Sequence, residues 1–243
     1  MTALRVLVSM FLALVGIAVL VAALFWLAVR RDDIPYAELE TRYAAADSAY
    51  VDLPGGVRAH YRESGNAKGP TVLLLHGFTA STATWDPWIR ELSGEYRLVA
   101  LDLPGHGLTR TPAEWRPTMD AYAETVEAFV EARGLGTVIV AGQSMGGHVA
   151  WEYALRRPER VRALVLVASA GWPETRPELT RENPSVAILR TEWGRKIMRD
   201  VDNSGVLRQG LKAAYQDDAL VTDALVTRYA ELMRAPGRRD MII

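Results

Sequence analysis

The pentapeptide Gly142-Gln143-Ser144-Met145-Gly146 sets one hydroxyl between two glycines, directly after the apolar run 137–141 and directly before a helical pattern. A serine hydroxyl attacks poorly until a base takes its proton and nearby donors hold the negative oxygen that the attack creates. A sharp strand-to-helix turn supplies part of that arrangement. It forces the serine into a strained backbone conformation and lifts the hydroxyl clear. It also places the oxygen at a helix N-terminus, where N–H groups and the helix dipole favour negative charge. Gly142 and Gly146 remove side chains that would collide as strand and helix close, and Gly147 adds clearance. A plain glycine-rich turn with a capping serine is the alternative. Two more loops follow apolar runs: His76-Gly77-Phe78 after Thr71–Leu75, and Asp102-Leu103-Pro104-Gly105-His106-Gly107 after Arg97–Leu101.

The elements that carry these loops are legible as short apolar runs. Segments 49–53 and 57–62 flank Pro54-Gly55-Gly56 and predict a hairpin. Thr71–Leu75, Arg97–Leu101, 137–141 and 162–168 are apolar after a leading Thr or Arg, as buried parallel strands are. Helical patterns at 88–92, 119–133 and 147–156 lie between them. The alternation predicts an α/β fold, a mostly parallel sheet with helices on both faces. After Gly171 the texture turns helical, with helices expected at 188–201, 206–215 and 220–233, broken at entry by Pro173, Pro177 and Pro184. Trp172 and Trp193 are expected to line a cavity there or to pack among the helices.

Taken together and in this order, the three loops resemble those of the α/β-hydrolase superfamily, in the branch of lid-bearing esterases, C–C bond hydrolases and cofactor-free haloperoxidase-like enzymes. The resemblance runs from about Tyr50 to Gly171. It implies Ser144 as nucleophile and the backbone N–H groups of Met145 and Phe78 as the oxyanion hole. It implies supporting roles for Gly142, Gly146, Gly77, for His76 as a loop-ordering residue, and for Asp102 as the tie of the D-x-x-G-x-G loop, with His106 structural. Serine at the elbow sets the chain apart from epoxide hydrolases and haloalkane dehalogenases of the family, which place aspartate there. The substrate class implied is small carboxylic esters or related acyl compounds, with no cofactor and no metal.

The family order is Ser, then Asp or Glu, then His. The histidines here are His60, His76, His106 and His148, and only His148 follows Ser144, one helical turn along. Ser169, Ala170 and Gly171 occupy the loop where some relatives carry the acid. The reading is therefore an α/β-hydrolase fold lacking its last strands, with base and acid missing, in a fragment or truncated frame. Arg238-Arg239-Asp240-Met241-Ile242-Ile243 reads as the start of a next segment. A strand at 162–168 with one neighbour would leave an apolar edge open to pairing. The competing function is a non-catalytic hydrolase-like membrane protein that binds a ligand or partner.

Residues 6–29 carry no charge, and a helix of that length rises about 36 Å, enough to cross a hydrocarbon core of about 30 Å. Phe25 and Trp26 suit an interface. A cleaved signal peptide is the competing reading, but its apolar region is normally shorter, about 7 to 15 residues. Arg30 and Arg31 against Arg5 tilt the C-terminal side toward the cytoplasm, while the short leading tail tilts it the other way, so the side stays open. The organisation expected is anchor 1–31, connector 32–48 with one short helix, core 49–171 and helical lid 172–243. A net charge of -1 with no single-sign run gives no nucleic-acid surface, and the absence of cysteine excludes disulfides, thiolate catalysis and cysteine-bound metal. The sequence points to no particular protein partner.

Overall fold

The computed structural model describes residues 2–172 and 191–242. Six strands form one sheet: β1 (Ser48–Asp52), β2 (Arg58–Gly65), β3 (Thr71–Leu75), β4 (Arg97–Leu101), β5 (Val138–Gln143) and β6 (Val161–Val167). Their order is β1-β2-β4-β3-β5-β6. The hairpin β1–β2 and the pair β2–β4 are antiparallel, and β4, β3, β5 and β6 run parallel. β3 and β4 match the apolar runs residue for residue. β2 extends three residues past its expected end, where Glu63 to Gly65 continue the pairing with β4.

The pleat of β3 divides its side chains between two cores. Leu73 and Leu75 join Tyr122, Val126 and Phe129 of helix α4 (Met119–Ala132) and Val149, Ala150 and Tyr153 of helix α5 (Met145–Arg156). Val72 and Leu74 face the other way, toward Trp85 and the short helix α3 (Asp86–Leu92). Each fully buried Leu or Phe contributes about 1.5–3 kcal/mol relative to exposure, so these layers fix the loops at the strand ends. α4 starts at Thr118, whose hydroxyl accepts the Ala121 N–H at 3.1 Å.

For chain-order labelling the first two helices are α1 (Thr2–Val29) and α2 (Tyr36–Tyr43). Residues 5–29 of α1 have a mean hydropathy of 2.9, and none of that stretch is buried against the rest of the chain. The connector is not a loose linker. Ile34 and Leu39 pack with Leu108, Leu232 and Ala235 in a third core. The helical region contains α6 (Glu192–Asp200), α7 (Ser204–Tyr215), α8 (Asp223–Met233) and α9 (Arg238–Ile242). Pro173, Pro177, Pro184 and the expected start of a helix at 188 lie outside the described residues. Trp172 and Trp193 are 86% and 62% exposed, so neither packs among the helices.

The segment 238–242 is tied into the fold rather than leading away from it. Arg238 is buried and donates to the carbonyls of Gly107 (2.7 Å), His106 and Thr109 (both 3.2 Å) and Leu232. Burial pushes its guanidinium below the usual arginine range, with Tyr36 and Asp102 pulling the other way. Arg239 bonds the carbonyl of Arg31 at 2.9 Å and pairs with Asp33 at 2.6 Å.

A buried polar cluster holds the loops after β3 and β4. Asp102 accepts from His60 Nδ1 at 2.6 Å and from the Thr82 and Leu108 N–H groups at 2.7 Å. His60 Nε2 lies 2.9 Å from the Ser48 hydroxyl, which accepts the Ala45 N–H. Burial raises the Asp102 carboxyl, but the pull and hydrogen bond of His60 outweigh it and hold it well below the carboxylate range. His76 takes the Leu103 N–H on Nε2 at 3.1 Å, which leaves Nδ1–H to donate to the Gly77 carbonyl at 2.7 Å. Burial lowers the pKa of His76, and burial plus the nearness of His76 lowers His106 to about 3.

Depressed folded-state values in all three groups give one sign. In the two histidines the stabilisation is complete above pH 6.5, the ordinary histidine value, and is lost as pH falls below it. Denaturant unfolding of the detergent-solubilised chain is expected to weaken by up to about 1.4 kcal/mol per pH unit for each buried neutral histidine below that point. His106→Phe should flatten the slope between pH 6.5 and 4.5 by about one such increment. An unchanged slope rules out a neutral buried His106. β6 lies at the sheet edge with Leu164, Val165 and Leu166 exposed by 38%, 37% and 46%. Leu166→Lys should therefore reduce light scattering by concentrated protein without lowering Tm.

Candidate active site

β5 ends at Gln143, α5 begins at Met145, and Ser144 alone makes the turn with φ 52 and ψ -119. Positive φ in a non-glycine residue is strained, typically by about 1–3 kcal/mol, and it persists only where the surroundings enforce it. Here they do. The Ser144 N–H donates to Val167 O at 3.0 Å, and its carbonyl accepts from Gly147 N (2.9 Å), Ala170 N (3.0 Å) and His148 N (3.2 Å). The β6 strand and its following loop thus clamp the elbow. The Ser144 side chain occupies the N-cap position yet makes no capping hydrogen bond, which removes the capping-serine explanation.

The turn closes only because β-carbons are missing. A Cβ on Gly146 would lie 2.2 Å from the Leu75 carbonyl oxygen and 2.4 Å from that of His76. One on Gly142 would meet the Gly146 oxygen at 2.2 Å. Gly77 lies over the elbow, its absent Cβ 2.5 Å from Gln143 Oε1 and 3.2 Å from the Ser144 Cβ. The loop carrying Phe78 and the start of α5 are therefore in contact beside the hydroxyl. Among the described residues, the backbone N–H groups of Phe78 and Met145 have no hydrogen-bond acceptor. Thr79, next in the loop, also holds positive φ, at 60°.

Ser144, Gly77 and Phe78 line a cavity of about 840 Å³. Trp85 and Trp88 form one wall; Leu207, Leu211 and Tyr215 of α7 form another, and Tyr229 of α8 a third. The Tyr229 phenol is pushed up to about 12, chiefly by burial. No acidic, basic or histidine side chain is among the lining residues described. A cavity this apolar suits a hydrocarbon group with one polar centre at the serine. The described residues contain no cluster able to hold a metal ion.

None of the four histidines reaches that cavity. His60, His76 and His106 are buried in the loop cluster. His148 stacks on Trp151, ring centroids 4.6 Å apart, and lies 3.7 Å from Glu152. Ser48, His60 and Asp102 are bonded in the order of a serine–histidine–aspartate relay. Ser48, however, lies on β1, outside the cavity. Sequence reasoning gave His60 no role, and only the β2–β4 pairing brings it to Asp102. It also missed the cavity walls on α7, where the Val206-Leu207 and Gly210-Leu211 pairs at helical spacing were the one signal. Trp172 and Trp193, expected to line a cavity or pack among the helices, do neither.

Comparison with known proteins agrees with this fold. A pimeloyl-[acyl-carrier protein] methyl ester esterase of Nitrosomonas europaea is 40% identical over 121 residues, 47% of this chain and 45% of the esterase. Human epoxide hydrolase 4 is 34% identical over 113 residues, 46% of this chain and 31% of that protein. The matched segments thus span less than half the length of these curated relatives. A membrane phospholipase A, described as a bacterial virulence factor, superposes with a TM-score of 0.62 at 28% identity, covering 95% of this chain and 72% of that one. The family model for the alpha/beta hydrolase fold matches residues 70–227. With the elbow, the strand order and that match in agreement, the chain belongs to the alpha/beta hydrolase fold family.

Proposed function

We propose that this chain carries the nucleophile and oxyanion half of a serine hydrolase for carboxylic esters or related acyl compounds. The observation that carries the reading is the uncapped hydroxyl of Ser144, on strained backbone, in an apolar cavity that Phe78 also lines, with the Phe78 and Met145 N–H groups lacking an acceptor among the described residues. The attack of Ser144 on an ester carbonyl places negative charge on the carbonyl oxygen, and the Phe78 and Met145 N–H groups would receive it. Losing one such donor typically lowers kcat by about 10² to 10³. Gly142, Gly146, Gly77, His76 and Asp102 act by position, holding the two loops together. Ester rather than epoxide chemistry follows from serine at the elbow, since an alkyl-enzyme intermediate on the family pattern needs a carboxylate there.

None of the four histidines lines the cavity with Ser144, so in the enzyme reading the base is not among the described residues of this chain. The same fact favours the second reading, a hydrolase-like membrane protein that binds a ligand in the cavity without turning it over. In both readings residues 1–31 anchor the chain through the span at 6–29, 32–48 connect, 49–171 form the core and 172–243 the lid. An uncleaved anchor is supported by its exit. Arg30 forms a β-bridge with Val201, the Val29 carbonyl accepts the Asp202 N–H at 2.9 Å, and the Arg31 N–H donates to Asp200 O at 2.7 Å. A cleaved leader would take those bonds with it.

A fluorophosphonate probe separates the two readings. Ser144 of the 243-residue chain should stay unlabelled, while a C-terminally extended form should be labelled and lose labelling on Ser144→Ala. Labelling of neither form removes the enzyme reading. In the extended form, Gly146→Ala should cost about 1–3 kcal/mol of stability by overpacking and abolish labelling, as read by denaturant titration and in-gel fluorescence. Retention of both would show that the elbow is not as tight as described.

A further inference from the structure

A second, polar cavity of about 200 Å³ sits where the anchor helix meets the body, with Arg31, Arg234 and Arg239 in its wall. Asn203 and Met233 line this cavity and the large apolar one together, so the two are neighbours with a shared partition. Arg31 lies two residues past the end of α1, which puts the polar cavity at the level where a spanning helix leaves hydrocarbon for headgroups.

The charges in this wall are unequally satisfied. Arg31 pairs with Asp202 at 3.1 Å, and Arg239 pairs with Asp33 at 2.6 Å. Glu231 is taken by Arg42 and the Tyr43 hydroxyl, both at 2.7 Å. Arg234 is different. Its Nε donates to the Asp32 carbonyl at 2.8 Å and its charge helps to lower the carboxyl of Glu231, but among the described residues it is within ion-pair distance of no carboxylate and its terminal amino groups have no acceptor. Arg239 is buried and its terminal nitrogens are committed to Arg31, Arg199 and Asp33, so it contributes charge to the wall rather than a free donor. A guanidinium with unspent donors in a small polar recess suits the planar, bidentate recognition of phosphate. A volume of several waters, at about 30 Å³ each, admits a tetrahedral anion.

We propose that this cavity binds a phosphate group, with Arg234 as its principal donor, and that the phosphate is that of a lipid whose acyl chain enters the adjoining apolar cavity. The site makes the substrate of the proposed esterase an anionic phosphate-bearing lipid, and to that extent rests on the hydrolase reading. Inorganic phosphate is the other source of the same chemistry. Basic residues at a membrane surface attract anionic headgroups in any case; a walled recess beside the serine cavity adds selection to that attraction.

Calorimetry on the 243-residue Ser144→Ala chain in uncharged detergent tests this without requiring turnover. Dihexanoylphosphatidic acid is expected to bind at least about tenfold tighter than dihexanoylglycerol, which lacks the phosphate, in line with charge-assisted hydrogen bonds. Arg234→Ala should close that gap to less than about twofold and Arg234→Lys should restore part of it. Inorganic phosphate that competes only weakly supports the lipid source; inorganic phosphate that binds as tightly as the lipid overturns it. Equal affinity for the two lipids in otherwise unaltered protein, or a gap that survives Arg234→Ala, overturns the site. The lipid comparison needs no Arg234 variant, so misfolding of one leaves the test intact. A lipid preference in this variant together with no fluorophosphonate labelling of Ser144 in either the 243-residue or the extended form would retire the esterase and keep the site.

Discussion

Behind Ser144 three stretches of backbone approach to distances that leave no space for a β-carbon. The ends of β3 and β5 and the first turn of α5 meet at Gly142 and Gly146, and the Leu75 and His76 carbonyl oxygens occupy the space a side chain would need. This contact determines the geometry around the hydroxyl. It tips Ser144 into positive φ, frees its side chain from capping, and brings the loop with Phe78 alongside the α5 N-terminus. Strain stored at one residue is held by hydrogen bonds at its neighbours, as functional sites in rigid scaffolds commonly arrange.

The loops that flank the elbow have little apolar material of their own, and polar groups fix them instead. Asp102 gathers three donors from β2, from the loop after β3 and from its own loop. His76 spans from Gly77 to Leu103 with both ring nitrogens used. Arg238 closes the far side by collecting carbonyls of the Asp102 loop. Buried polar groups of this kind are costly unless satisfied, and most are satisfied here, so the cluster specifies one loop arrangement.

The sheet was legible because its strands are short, apolar and bounded. β3 and β4 need no context to be seen, and the elbow combines a strand, two glycines and a helix pattern within a few residues. What escaped the sequence depends on contacts between distant segments. The packing of Leu39 in the connector requires Leu108 and Leu232 to be brought to it. The pairing of His60 with Asp102 exists only because β2 lies beside β4. Arg238 read as the start of a next segment, and nothing local shows that it enters a cage of carbonyls. The tryptophans at 172 and 193 were weighed as cavity or packing residues on residue type alone, and type does not fix exposure.

The β-bridge between Arg30 and Val201 joins the end of α1 to a segment made well after the sheet, and Arg239 adds a bond to Arg31. During synthesis α1 and the residues after it are made before their partners, so the N–H and C=O groups at 29–31 stay open to water until the sheet has formed and the helices after it have been made. Contacts so far apart in sequence are the slowest class to form, because the whole intervening loop must already be ordered. The sheet can therefore complete before the end of α1 is tied to it, and that tie forms only as the helices beyond the sheet dock.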